Sequence, residues 1–81
     1  MKVMGGETEK EILRILEEAI KREQAACKLY NRGMKLTDNP KIRGVFAMLA
    51  EEEEGHERTL KQVYQDYKKE LGLKVLKDNE N

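Results

Sequence analysis

Glu53 and His56 stand one helical turn apart in the run Glu53-Glu54-Gly55-His56. A carboxylate and an imidazole at i and i+3 share one face of a helix and can hold one metal ion between them. That spacing is common in charged helices, and its surroundings give it meaning here. Reading back from His56 by threes and fours meets Leu49, Val45, Phe46 and Ile42; reading forward meets Leu60, Val63, Tyr64, Tyr67 and Leu71. The pair therefore interrupts an apolar helical stripe. Desolvating a carboxylate costs roughly several kcal/mol unless a partner neutralises it, and a bound cation is such a partner.

The first half of the chain repeats the pattern. Its stripe runs Ile12, Leu13, Leu16, Ala19, Ile20, Glu23, Ala26, Cys27, Tyr30 and Met34, with Glu23 as its one acid. Between the stripes lies Thr37-Asp38-Asn39-Pro40, a turn and helix-start signal. Residue 38 is fifteen positions from both Glu23 and Glu53. If two antiparallel helices fold back there, both acids lie ~22 Å up the hairpin, level with each other. Glu23, Glu53 and His56 then share one height on one inner face and read as metal ligands.

The helices that must position these residues have their own signals. Residues 1–7 read as a flexible lead. Thr8 and Glu11 form a capping box, with Thr8 as N-cap. The first helix then runs to Gly33 or Leu36. Asn39 caps the second helix and Pro40 opens it, where its missing N–H does no harm. That helix ends near Leu71, with Gly72 just past its end. Residues 8–72 thus form a helical hairpin domain, and residues 73–81 form a tail with an apolar start. Met34, Met48 and the aliphatic stripe read as core. Cys27 reads as a small buried residue, and Glu52 and Glu57 as part of a solvated face beside the site.

Composition narrows the class. The chain has 81 residues, 40% of them charged, which suits long helices with solvated outer faces. Sixteen acids balance sixteen bases. That balance leaves no electrostatic footprint for nucleic acid or an anionic membrane. The single Cys excludes an internal disulfide and a Cys-rich metal knuckle. No apolar run approaches the ~20 residues of a membrane span. With no hydrophobic signal core at its start, the chain reads as cytoplasmic.

Two helices alone leave both stripes half exposed, and chains of this size often need a metal or a partner to fold stably. The expected fold is therefore all-α: an antiparallel two-helix hairpin that pairs with a second copy into a four-helix bundle. Two copies bring four carboxylates and two imidazoles, the ligand count of the carboxylate-bridged di-iron bundles. Charge also closes, since four carboxylates offset two divalent ions. Oxygen-rich ligation with imidazole suits iron or manganese better than structural zinc.

With these residues in view, the chain resembles the ferritin-like superfamily, specifically its rubrerythrin-type and encapsulated-ferritin members. Ala50-Glu51-Glu52-Glu53-Glu54-Gly55-His56 is similar to their Ala-x-x-Glu-x-x-His segment. Glu23, followed seven residues later by Tyr30, is similar to their first-helix ligand and nearby tyrosine. The Glu23–Glu53 spacing and the Asn39-Pro40 turn suit the encapsulated ferritins best. The resemblance implies a ferroxidase: a di-iron oxidoreductase that oxidises ferrous iron at a site shared between subunits, for iron storage or peroxide protection. Glu23, Glu53 and His56 would be its ligands, and Tyr30 would act from behind them. Rubrerythrin-like peroxidase activity is the alternative, as is a non-catalytic metal staple between two copies. The segment from Leu71 to Lys77 is similar to encapsulin-targeting peptides, which implies an encapsulin shell as partner and compartment. A full rubrerythrin also carries a rubredoxin domain with two Cys-x-x-Cys pairs, which one Cys cannot form.

Overall fold

Asn39 and Pro40 divide the chain into two helices. The computed structural model describes residues 5–72, which form α1 (Gly5–Leu36) and α2 (Pro40–Glu70). Asn39 is extended, at φ −78° and ψ 114°, and its side-chain oxygen accepts hydrogen bonds from the Lys41 and Ile42 N–H groups at 2.9 and 3.2 Å. These are the donors a helix start leaves without partners, so the cap fixes where α2 begins. Thr37 closes the end of α1. Its N–H bonds the Gly33 carbonyl at 3.2 Å, its hydroxyl accepts from the Asn39 N–H at 3.1 Å, and its carbonyl accepts from the Arg43 guanidinium at 2.6 Å. Three residues between the helices force an antiparallel hairpin.

At the far end Gly72 adopts φ +73° and donates its N–H to the Lys69 carbonyl at 2.9 Å, a left-handed helix terminus suited to glycine. α1 begins at Gly5, ahead of the Thr8 cap expected from the sequence, so the expected lead of residues 1–7 is too long. Gly5 and Gly6 are poor helix formers but stand at the very start of the helix, and Glu7 lies in the first turn, where its charge complements the helix dipole. The tail of residues 73–81, with most of its encapsulin-like segment, lies outside the described residues. Neither described helix is long and apolar enough to cross a membrane.

The hairpin is a thin plate, 57 × 28 × 14 Å, with a radius of gyration of 17.2 Å. A compact domain of this length would have a radius near ~12 Å. Among the described residues only Leu13 and Ala50 are buried, at 8% and 5% exposure. Each stripe splits. One flank packs on the other helix, while Ile12, Ile15, Leu29, Ile42, Val45, Met48 and Val63 remain exposed. Met48, expected in the core, is therefore not in it. Surface pairs such as Arg14–Glu11 and Arg22–Glu18, both 3.1 Å and both exposed, contribute little.

Near the turn the helices approach closely because Gly33 has no side chain. A Cβ there would meet three atoms of the Phe46 ring at 2.6–2.9 Å. The ring lies over Gly33 and stacks on Tyr30, with centroids 6.2 Å apart and planes 21° from parallel. Gly44, by contrast, has nothing within 4 Å of where a Cβ would stand. Gly44→Ala should therefore stabilise the protein by about 0.5–1 kcal/mol through helix propensity alone. Gly33→Ala should destabilise it by about 1–3 kcal/mol, because overpacking displaces Phe46 from its stack. Thermal melts of the two variants should move in opposite directions.

Candidate metal centre

The cap at Asn39 and the equal arm lengths place Glu23 of α1 beside Glu53 and His56 of α2. These three residues offer ligand atoms that all lie within 4.8 Å of one another. His56 Nδ1 is 3.3 Å from Glu53 Oε1 and 3.5 Å from Glu23 Oε1. The first distance is a long hydrogen bond and the second is too long for one. Glu23 Oε1 is buried and has no hydrogen-bond partner. Buried polar atoms are normally satisfied, and an orphaned carboxylate oxygen beside two other potential ligands is an arrangement that could hold a cation.

The donor chemistry fits a metal. A first-row ion holds nitrogen and oxygen donors at ~2.0–2.2 Å, so neighbouring donors on one ion stand roughly 3 Å apart and opposite ones roughly 4.4 Å apart. The observed separations need only a small contraction. Two carboxylates with one imidazole form a hard set that suits iron or manganese.

Exposure differs within the group. The Glu23 and Glu53 side chains are 24% and 19% exposed, and that of His56 is 61% exposed. A single hairpin leaves the His56 side of the stripe uncovered. A shallow, mostly apolar groove lined by Glu23, His56, Thr59 and Leu60 opens there. By helical spacing, Ile12, Ile15, Ala19 and Ala26 on α1 and Val45, Leu49 and Val63 on α2 flank that groove.

On the other flank of the helix seam the contacts are polar. Gln24 donates its amide to Glu57 Oε2 at 2.8 Å, and Lys61 pairs with the same oxygen at 2.9 Å. The Lys61 and Gln24 hydrogen bonds hold the Glu57 carboxyl below the usual carboxylate range, against a smaller opposing effect of burial. Glu57 is thus a link between helices, where the sequence suggested a solvated face. The available signal was positional: Gln24 follows Glu23 and Glu57 follows His56. Cys27 Sγ lies 3.8 Å from the Ala50 carbonyl and 3.5 Å from the Asn31 amide, half buried in the seam.

Glu23, Glu53 and His56 are brought together as the spacing required. Tyr30 lies two turns nearer the hairpin bend, ~10 Å along the helix from Glu23, with its ring against Phe46.

The rubrerythrin family model matches residues 14–81, which include all of these positions. No curated sequence and no solved structure matches the chain.

Glu23→Gln isolates the role of the orphaned oxygen. It keeps the shape, removes the buried charge and supplies an amide that can bond Glu53. In metal-free protein the melting temperature should rise, corresponding to about 1–3 kcal/mol. The further rise that manganese(II) produces in the unsubstituted protein should shrink or vanish. Equal manganese stabilisation of both proteins would remove Glu23 from the ligand set.

Proposed function

This chain belongs to the rubrerythrin family, and from that premise we propose that it is a di-iron carboxylate oxidoreductase, a ferroxidase that oxidises ferrous iron at a site shared by two copies. The observation that carries the reading is the buried, unpartnered Glu23 oxygen facing Glu53 and His56. One chain brings three protein donors, half of what a di-iron carboxylate site takes from a bundle. The groove beside those donors is bordered by exposed aliphatic side chains, which a second copy would cover. Pairing two hairpins through that face buries the apolar flank and joins the two half-sites in one step.

Ferrous iron is the substrate in this reading. Two ferrous ions together supply the electron pair that reduces peroxide to water or dioxygen to peroxide. The protein contributes position and charge. Glu23 and Glu53 from both copies would hold the ions and offset the charge of two divalent cations. His56 would offer a ring nitrogen to the ion, and its Nδ1 faces the Glu53 and Glu23 carboxylates at 3.3 and 3.5 Å. Both acids lie in a seam from which water is largely displaced, so their attraction for a cation is stronger than on an open surface. Tyr30 is stacked on Phe46 two turns nearer the bend, and nothing in the geometry joins it to the three ligands. Manganese fits the same donor set.

Glu53→Ala and His56→Ala should each abolish stoichiometric iron(II) binding and the absorbance rise of ferric product, while far-UV circular dichroism keeps its helical form. Light scattering of the unsubstituted protein with iron(II) should give a dimer or a multiple of one. A stable monomer that still oxidises iron at the full rate would sink the shared site.

A further inference from the structure

A polar clamp lies on the opposite flank of the seam from the proposed ligands, at the same height. Gln24 is the next residue after Glu23, and Glu57 is the next after His56. One residue further along a helix turns a side chain by ~100°, so the two ligands face one flank and their neighbours face the other. The Gln24 amide meets Glu57 Oε2 at 2.8 Å across the seam, 33 residues apart in sequence. Glu57 is part-buried, with its side chain 20% exposed.

This clamp matters because apolar packing holds the register weakly. Leu13 and Ala50 are the buried side chains among the described residues, and the Phe46 ring over Gly33 resists sliding near the bend, two or more turns from the ligands. Metal ligation demands more. Donors must stand within about 0.5 Å of the productive geometry. A slip of one helix past the other by one residue shifts Glu23 by ~1.5 Å against Glu53 and His56. The same slip would break a 2.8 Å hydrogen bond, which lengthens by only about 0.4–0.7 Å before it is lost. The tolerance of the Gln24–Glu57 bond is thus close to that of the site it adjoins. Another polar link across the seam, Tyr64 to Glu17, lies two turns away.

We propose that Gln24 and Glu57 are positioning residues for the metal-binding group, holding Glu23 level with Glu53 and His56 without touching the metal. The inference rests on the metal-site reading above. Glu57 does not serve as a ligand, since its bonded oxygen is taken by Gln24 and Lys61 and it lies outside the converging group. Lys61 is on the same helix as Glu57, so its ion pair cannot set the register between helices.

Cobalt(II) titration of the full-length chain tests this, read by calorimetry, by the visible d–d bands of cobalt and by far-UV circular dichroism. Gln24→Ala and Glu57→Ala should each weaken cobalt binding ~10–100-fold and alter the d–d bands, with helix content kept. The double variant should lose little more than either single one, because both remove the same bond. Glu57→Gln keeps an acceptor for the Gln24 amide and should restore near-normal affinity and bands. Lys61→Ala should leave both unchanged.

Unaltered affinity and bands in both alanine variants, with Glu53→Ala abolishing binding, would overturn the positioning role alone. So would a loss of affinity that merely follows a loss of helix content, or a Glu57→Gln variant as impaired as Glu57→Ala. If the unsubstituted protein fails to bind cobalt, or Glu53→Ala binds it normally, the metal-site reading fails and the clamp loses its purpose with it.

Discussion

Two carboxylates set against each other in a helix seam impose the constraint on which the rest of this structure depends. Glu23 and Glu53 occupy positions where the surrounding pattern calls for aliphatic side chains, and one oxygen of Glu23 is buried without a partner. In water such acids would be hydrated. In the seam they lose much of that hydration and gain only the His56 ring at 3.3–3.5 Å. An arrangement that is costly alone becomes favourable once a cation enters, because the donors are already gathered and their charge is already desolvated.

Much of the local structure follows from keeping those donors level. The Asn39 cap and Pro40 start α2 at a defined residue, and a three-residue bend sets the two arms antiparallel. Gly33 lets the Phe46 ring lie flat on α1 near the bend, and small Cys27 and Ala50 let the backbones approach one turn from the site. These devices are short-ranged. They fix the register with caps, small residues and a few hydrogen bonds more than with a large core.

The sparse core is the other side of the same design. Two buried side chains among the described residues contribute little against the conformational entropy of ordering two long helices. The exposed aliphatic flank borders Glu23 and His56, so in the proposed pairing covering that flank and completing the site would occur together. In that pairing, folding, association and metal binding would be coupled in one surface, and each could be read out through the others.

The sequence alone determined the helices, the bend and the three converging donors. Those depend on local chemistry and on counting: apolar spacing near 3.6, the Asn39-Pro40 start, the glycine at position 72, and equal distances from the bend to Glu23 and Glu53. The start of α1 at Gly5 was not legible, because Gly5 and Gly6 have low helix propensity and the Thr8 capping box suggested a later start. The exposure of His56 and Met48 was also hidden. A periodic stripe says that a face is apolar and is silent on whether the neighbouring helix or another molecule covers it. Only the tertiary structure decided which flank of each stripe faces inward, and with it the Gln24–Glu57 bridge, the orphaned Glu23 oxygen and the Phe46 ring over Gly33. Those contacts join residues from different helices, and they are fixed by how each helix is rotated about its own axis. Charged and apolar positions in the sequence constrain that rotation only to within the width of a face.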